Sequence, residues 1–199
     1  MICAAVFDLD GVIRHFGVDD VVDIERRHHL DEGALQEVAF SQPLLSKVTT
    51  GQMTRDEWVH QIGEQIGNAT AAAEWSRLTP SIDTDILRLV DELRSIGLIT
   101  AILTNGTNTI AAELADSGID AHFDEVFNSA DIGHAKPDSR VFRHVLDALG
   151  REPTEVFFTD DAASKLEGAQ SVGLVTHLFS GVAELRSALT EAGVKLQAR

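Results

Sequence analysis

The 199-residue chain has a single cysteine, no long apolar run and no basic residues at its start. One thiol, Cys3, cannot form an internal disulfide, and it fits a reducing compartment without a catalytic role. No apolar stretch approaches the ~20 residues that a membrane-spanning helix needs. The first residues also lack the basic start and the cleavage site of a signal peptide. We therefore predict a cytoplasmic protein without a membrane partner.

Basic residues are scarce as well: 16 Lys and Arg stand against 32 Asp and Glu, a formal net charge of −16. A surface of this sign repels nucleic acid and anionic membranes, so neither is expected as a partner. It also repels an anionic substrate, whose binding then requires positive charge placed locally, as a divalent metal ion could supply. Hydrophobic residues make up 44% of the chain, which is enough for a substantial core.

Strand and helix patterns alternate from about Ser81 to the end of the chain. Short apolar runs indicate buried strands at 98–103, 125–129, 155–159 and 174–179. Apolar residues at helical spacing predict helices over 84–96, 108–117, 139–149, 163–172 and 182–192. This alternation predicts an α/β fold with a doubly wound, mainly parallel sheet.

The stretch from about 16 to 80 interrupts the alternation, because it contains helical patterns and no convincing strand. Thr54 and Glu57 form a capping-box pattern at the start of one helix. A structureless loop of this length is implausible in a compact domain. We therefore predict a core of residues 1–15 and 81–199 and a small helical insert over 16–80. The insert would sit above the carboxyl ends of the strands, where open α/β sheets bind ligands.

The first apolar run ends in two acids, Asp8 and Asp10. Side chains alternate along a strand, so these two carboxylates point to the same side. Neighbouring carboxylates repel each other unless a cation or a shared proton lies between them. A strand end followed by an Asp-Gly turn explains the same residues, and it is the commoner meaning of so short a motif.

Polar groups also follow, or lie near, other predicted strand ends. Thr104 and Asn105 end the strand at 98–103, Lys136 lies in the loop before the next helix, and Asp160 and Asp161 end the strand at 155–159. Each group alone has a structural explanation: a helix cap, a solvated loop charge, or a helix N-terminus favoured by the dipole. Their joint occurrence at the carboxyl edge of one sheet indicates a functional site.

The chain resembles the haloacid dehalogenase superfamily of phosphohydrolases, whose four signatures appear in order as "VFDLDGV", "ILTNGT", "GHAKPD" and "VFFTDDAASKLEGA". The resemblance extends over essentially the whole chain. The segment "TTGQMTRDEWVHQIG" is similar to the small helical C1-type cap of subgroup IA, which follows the first signature. The resemblance implies a Rossmann-like catalytic core that carries a helical cap.

The resemblance also implies a phosphoryl transfer in two steps. Asp8 would be the nucleophile that forms an aspartyl-phosphate, and Asp10 would be the general acid–base. Mg²⁺ would be held by Asp8, the backbone carbonyl of Asp10 and Asp161, with Asp160 as a further ligand or as a partner of the ligands. The ion would draw the acids together and screen the approach of an anionic substrate.

The remaining signature residues would act on the phosphoryl group. Thr104 and the backbone N–H of Asn105 would hold its oxygens, and Lys136 would supply positive charge to the nucleophile and the phosphate. One position departs from the family pattern: Lys165, four residues after Asp161, stands where relatives usually carry Asp or Asn. We hypothesise that Lys165 reduces magnesium affinity with catalysis retained, an effect that magnesium titration of a Lys165→Asn variant would measure.

The resemblance favours a magnesium-dependent phosphatase of small phosphorylated metabolites, sugar phosphates among them. A phosphomutase with the same aspartyl-phosphate and a non-catalytic phosphate-binding relative are alternatives. Haloacid dehalogenation is a lesser one, because the dehalogenases carry no acid at the position of Asp10. A signalling receiver domain is set aside, because Lys136 precedes the acidic pair here. Arg14 and His15 are interpreted as part of a surface flap, with contact to the substrate's leaving group as the alternative.

Overall fold

A computed structural model describes residues 1–197, and its centre is a parallel sheet. The strands of this sheet are β1 (Ala4–Phe7), β4 (Ile99–Thr104), β5 (Glu125–Asn128), β6 (Val156–Asp160) and β7 (Val175–Leu178). They lie in the order β5-β4-β1-β6-β7, and all neighbours are parallel. The predicted doubly wound α/β fold is confirmed.

Helices cover both faces of the sheet, as a doubly wound fold requires. The helices of this part are α6 (Thr84–Ser95), α7 (Ile110–Ser117), α8 (Ser129–Ile132), α9 (Ser139–Leu149), α10 (Ala163–Ser171) and α11 (Val182–Glu191). Single 3-10 turns occupy Asp120–His122 and Pro153–Glu155. The apolar side chains of α6, α7 and α11 pack with one face of the sheet, and those of α9 and α10 pack with the other.

The central strand β1 supplies side chains to both hydrophobic clusters. Ala5 and Phe7 pack into the cluster with α6, α7 and α11, whereas Ala4 and Val6 pack into the cluster with α9 and α10. Alternation along a strand covered on both faces explains why this run is apolar without interruption. Each fully buried Phe contributes on the order of 1.5–3 kcal/mol of transfer free energy.

Five helices fill the stretch between β1 and α6. They are α1 (Val18–Arg27), α2 (Ala34–Ala39), α3 (Leu44–Thr49), α4 (Arg55–Gln65) and α5 (Ala69–Trp75). They enclose a hydrophobic cluster of their own, which includes Ile24, Leu35 and Ile62. The predicted capping box at Thr54 and Glu57 is present at the start of α4.

Two short strands close the base of this helical segment. β2 (Arg14–His15) and β3 (Ser81–Ile82) pair in antiparallel register, and so bring the two ends of the segment together. A buried hydrogen bond from Ser129 Oγ to the Thr49 carbonyl (2.6 Å) joins α3 to the start of α8. Over residues 1–197, none of the helices combines the length and the hydropathy that crossing a membrane would require.

Candidate active site

The carboxyl edge of the sheet brings three of the predicted acids together. β1 and β6 are neighbours, and the backbone N–H of Asp8 donates to the Thr159 carbonyl (2.9 Å). Carboxylate oxygens of Asp8, Asp160 and Asp161 lie within 4.8 Å of one another. Asp8 and Asp160 are buried, whereas Asp161 is exposed. The arrangement is the convergence that strand alternation and parallel pairing predict.

Lys136 is buried among these acids. Its Nζ lies 2.7 Å from Asp8 Oδ1 and 2.7 Å from Asp160 Oδ2, and it donates to the Leu103 carbonyl at 2.9 Å. An ammonium group has three donors, so this environment uses all of them. Lys136 therefore links Asp8, the candidate nucleophile that follows β1, to Asp160 at the end of β6.

Asn105 fixes the backbone of Lys136. Its Oδ1 accepts from the Lys136 N–H (2.8 Å), and its Nδ2 donates to the Lys136 carbonyl (2.9 Å). This side-chain contact goes beyond the sequence prediction, which concerns only the backbone N–H of Asn105. No local pattern reports a partner so far away along the chain. Thr104 is buried at the end of β4, at the same edge of the sheet.

Two carboxyl groups of this cluster, Asp8 and Asp161, have raised pKa values. Burial raises the pKa of Asp8 to about 7, with Asp160 adding to the rise and Lys136 opposing it. Burial and the charge of Asp160 raise the pKa of Asp161 as well. Burial favours the neutral form of Lys136, but Asp8 and Asp160 outweigh it and raise the Lys136 pKa. Lys136 thus stays charged, and the raised pKa values of Asp8 and Asp161 show that these two carboxylates remain short of positive charge.

The turn after β1 requires glycine at position 11. Gly11 has a φ of +91°, and a Cβ there would lie 2.1 Å from Asp161 Oδ2. Only glycine lets the chain take this conformation while Asp161 approaches the Asp10–Gly11 turn so closely. The side chain of Asp10 is 45% exposed.

Asp10 begins a chain of ion pairs that we name the Arg14–Glu113–Arg55 network. Arg14 donates to both carboxylate oxygens of Asp10, and its Nη1 donates to Glu113 Oε2 at 2.8 Å. Arg55, at the start of α4, donates to Glu113 Oε1 at 2.7 Å. Arg14 is only 6% exposed, so the surface-flap interpretation is wrong for this residue. Long-range pairing of this kind leaves no signal in the local sequence.

Lys165 lies close to the acids without an ion pair to Asp161. Its Nζ donates to the Lys136 carbonyl at 3.2 Å. Burial and the neighbouring charge of Lys136 lower the pKa of Lys165. Its effect on magnesium affinity stays a prediction.

A cavity of about 270 Å³ lies between the sheet edge and the helical segment. Asp10 and Asn105 line it from the sheet edge, and Phe40, Trp58 and Trp75 line it from the helices. This volume is close to the lower end of the ~300–1,000 Å³ that is usual for small-molecule sites. The cavity therefore lies beside Asp10. It can hold a small chemical group of a ligand that is bound next to this residue.

Comparison with known proteins points to one family. The profile of the haloacid dehalogenase-like hydrolases matches residues 2–173. Bifunctional epoxide hydrolase 2 of Rattus norvegicus is 29% identical over 216 residues, covering 94% of this chain and 37% of that protein. The chain thus spans little more than a third of this relative. Sesquiterpene phosphatase astK of Aspergillus oryzae is 29% identical over 186 residues, covering 90% of this chain and 91% of that protein.

A solved structure with the same fold comes from Bacteroides thetaiotaomicron. It is a haloacid dehalogenase family enzyme in complex with magnesium and inorganic phosphate. Its TM-score to this chain is 0.76 at 21% identity, covering 93% of this chain and 99% of that one. At this identity the likeness concerns the fold.

Proposed function

This chain belongs to the haloacid dehalogenase-like hydrolases, and from that premise we propose that it hydrolyses small phosphomonoesters through an aspartyl-phosphate on Asp8. The observation that carries the proposal is the cluster of Asp8, Asp160 and Asp161, with Lys136 bonded to the first two. A relative named as a phosphatase and a structural neighbour that holds magnesium and phosphate support it.

Magnesium fits the donors of this cluster. Mg²⁺ prefers oxygen ligands and uses few carboxylates, and the raised pKa values of Asp8 and Asp161 mark carboxylates that lack positive charge. Both oxygens of Asp160 already accept hydrogen bonds, from Lys136 Nζ and from the Ala162 N–H. We therefore assign coordination to Asp8, Asp161 and the Asp10 carbonyl, and to Asp160 the role of holding Lys136. When bound, the ion supplies positive charge that offsets the repulsion between an anionic substrate and Asp8.

The first step uses Asp8 and Asp10. A carboxylate oxygen of Asp8 attacks phosphorus, the bond from phosphorus to the ester oxygen breaks, and Asp10 gives its proton to that oxygen. In the second step Asp10 takes a proton from water, whose oxygen attacks phosphorus and breaks the bond to Asp8. Arg14 on both oxygens of Asp10 suits the carboxylate form that acts on water.

The phosphoryl group would be held by Thr104 and by the backbone N–H of Asn105. Lys136 keeps its charge beside Asp8, where it stabilises negative charge that moves onto the phosphoryl oxygens. We assign the helices between 16 and 80 the role of a cap, which shields the reacting groups from bulk water.

The test is release of phosphate from p-nitrophenyl phosphate with Mg²⁺. We expect activity that a chelator removes and that Asp8→Asn lowers at least ~10³-fold, since the nucleophile is lost. Asp147→Asn makes the same chemical change on the exposed surface of α9 and should leave the rate unchanged. Undiminished activity of Asp8→Asn, or no phosphate release from any phosphomonoester, would overturn the proposal. An isomerised sugar phosphate as the product would indicate a phosphomutase instead.

A further inference from the structure

The walls of the cavity beside Asp10 are mostly apolar. The helical segment contributes Val21, Phe40, Trp58 and Trp75. Phe16 and Leu78, which precede and follow its helices, line the cavity as well. Trp75 makes edge-to-face contacts with Trp58, at 5.4 Å between ring centroids, and with Phe40, at 6.5 Å. Packing of this kind fixes the positions of the rings. Part of the cavity is therefore an aromatic wall, built from three helices or their ends.

The polar atom of one wall residue is already used inside the protein. Trp58 Nε1 donates to the Ala39 carbonyl at 3.1 Å. The indole is therefore not a free donor for the hydroxyl groups of a sugar. A buried site that recognises a polar ligand instead needs donors and acceptors directed at it.

The charged side chains that line the cavity neutralise one another. They are Asp10 and the three residues of the Arg14–Glu113–Arg55 network. Arg55 also donates to the Ser76 carbonyl, which occupies a further nitrogen of its guanidinium group. Among the lining residues that the structure describes, Arg14 and Arg55 are the only cations, and both are paired. Both arginines contact Glu113, so a second anionic group on the substrate would have to displace Glu113 from one of them.

We propose that the substrate is the phosphomonoester of a small, uncharged apolar alcohol, of alkyl, prenyl or aryl type, whose apolar part fills this cavity. The inference rests on the proposed phosphatase function and narrows its substrate class. A cavity of 270 Å³ has room for on the order of ten carbon atoms, at ~30 Å³ for a group the size of a water molecule. The class differs from the sugar phosphates that the sequence resemblance suggests.

The first experiment measures phosphate release from methyl, butyl, hexyl and decyl phosphate, and from glycerol phosphate and glucose 6-phosphate. With saturating Mg²⁺, kcat/KM should rise about two- to fourfold per added methylene until the cavity is full. Hexyl phosphate should exceed both polar substrates at least tenfold. A preference for glycerol phosphate or glucose 6-phosphate, or no dependence on chain length, overturns this inference and leaves the phosphatase function standing. No release from any of these compounds or from p-nitrophenyl phosphate overturns both.

A variant locates the preference in the cavity. Phe40 is 53% exposed although it lines the cavity, so Phe40→Ser should fold. It should lower the ratio of kcat/KM for hexyl phosphate to that for glycerol phosphate about fivefold. Ile96→Ser removes an apolar side chain that is 40% exposed and lies beyond the end of α6, before β4, and should leave that ratio unchanged. Phe16→Ser, at a second exposed lining position, serves if Phe40→Ser does not fold. An unchanged ratio in the folded variant contradicts the inference.

Tryptophan fluorescence gives a readout that does not depend on turnover. The chain has two tryptophans, and both line the cavity. Titration of the Asp8→Asn variant with decyl phosphate should change their emission with saturation, whereas glucose 6-phosphate at equal concentration should not. A response to glucose 6-phosphate alone would contradict an apolar site.

Discussion

The buried environment of Asp8 suits a catalytic role, but it lowers the stability of the folded protein as pH rises. It is buried between Lys136 and Asp160, and its pKa is raised from 3.8 to about 7. In the unfolded chain the same carboxyl ionises at its ordinary value. Between about pH 4 and pH 7 the folded protein therefore holds a proton that the unfolded chain has released. Folding stability falls as pH rises through this window, because the folded state binds more protons there.

We expect Asp8→Asn to stabilise the metal-free protein at pH 8, because asparagine fills the site without ionising. Lys136 keeps its bonds to Asp160 and to the Leu103 carbonyl in this variant. The melting temperature in a chelator should rise by several degrees, at about 2–4 °C per kcal/mol for a chain of this size. The difference should shrink towards pH 4. Asp147→Asn is the exposed control, and a lower melting temperature for Asp8→Asn at pH 8 would contradict the assigned pKa.

The sequence predicts the acids of the site better than the groups that hold them. Asp8 follows β1 and Asp160 ends β6, and parallel pairing brings such strand ends to one edge. The bonds from the Asn105 side chain to the Lys136 backbone depend on how two loops meet, as does the pairing of Arg14 with Glu113. No local sequence pattern indicates either contact, because the two residues that form it are far apart in the chain.

At the scale of elements, helix α10 packs very closely against the loop that carries Lys136. The contact is made at Gly168, where a Cβ would lie 1.8 Å from the Pro137 carbonyl oxygen. The same Cβ would lie 2.8 Å from the ring of Phe142, in α9. The backbone of α10 therefore packs directly against the residue that follows Lys136.

Gly168→Ala should weaken both the fold and the activity. Overpacking costs about 1–3 kcal/mol, against a gain in helix propensity of roughly 1 kcal/mol. We expect a lower melting temperature together with a lower kcat, since the loop must shift with Lys136. Glu167→Ala, at the neighbouring exposed position of α10, should change neither quantity. If Gly168→Ala equals the wild type in thermal melts and in kcat, the close contact does not position the loop.

Long helices are predicted from the sequence more reliably than elements of a few residues. The predicted helix over 139–149 is α9 with the same bounds, because its apolar face and its final glycine are both visible in the sequence. The predicted helix over 108–117 begins two residues later, at Ile110, after a turn held by Thr107 and Thr109. The pair β2–β3 and the short helix α8 are not predicted. Elements of two to four residues have too few positions to show a period, and tertiary contacts define them.

At the scale of the whole molecule, the charge of −16 opposes the binding of any phosphate ester. Local positive charge at Lys136 acts over a short distance, whereas the repulsion by the surface extends over a Debye length. That length is about 30 Å at 0.01 M salt and about 8 Å at 0.15 M. Salt therefore weakens the repulsion more than it weakens the contacts inside the buried site.

We expect the KM for a dianionic phosphomonoester to fall about two- to fivefold as NaCl rises from ~10 to ~150 mM, with Mg²⁺ saturating throughout. Initial rates at constant pH measure this effect, and kcat should change little. A KM that rises with salt would mean that an attractive field at the site outweighs the net charge.

The position of β1 also bears on how the polypeptide is made. This strand is synthesised before the other strands of the sheet, yet it lies in the middle, where Ala4 pairs with Ile99 on one side and with Val156 on the other. At ~5–20 residues per second, its second neighbour is synthesised on the order of ten seconds later. Until then β1, which is apolar on both faces, does not have both of the neighbouring strands with which it pairs. The sheet that supports Asp8 is thus completed only after β7 has been translated.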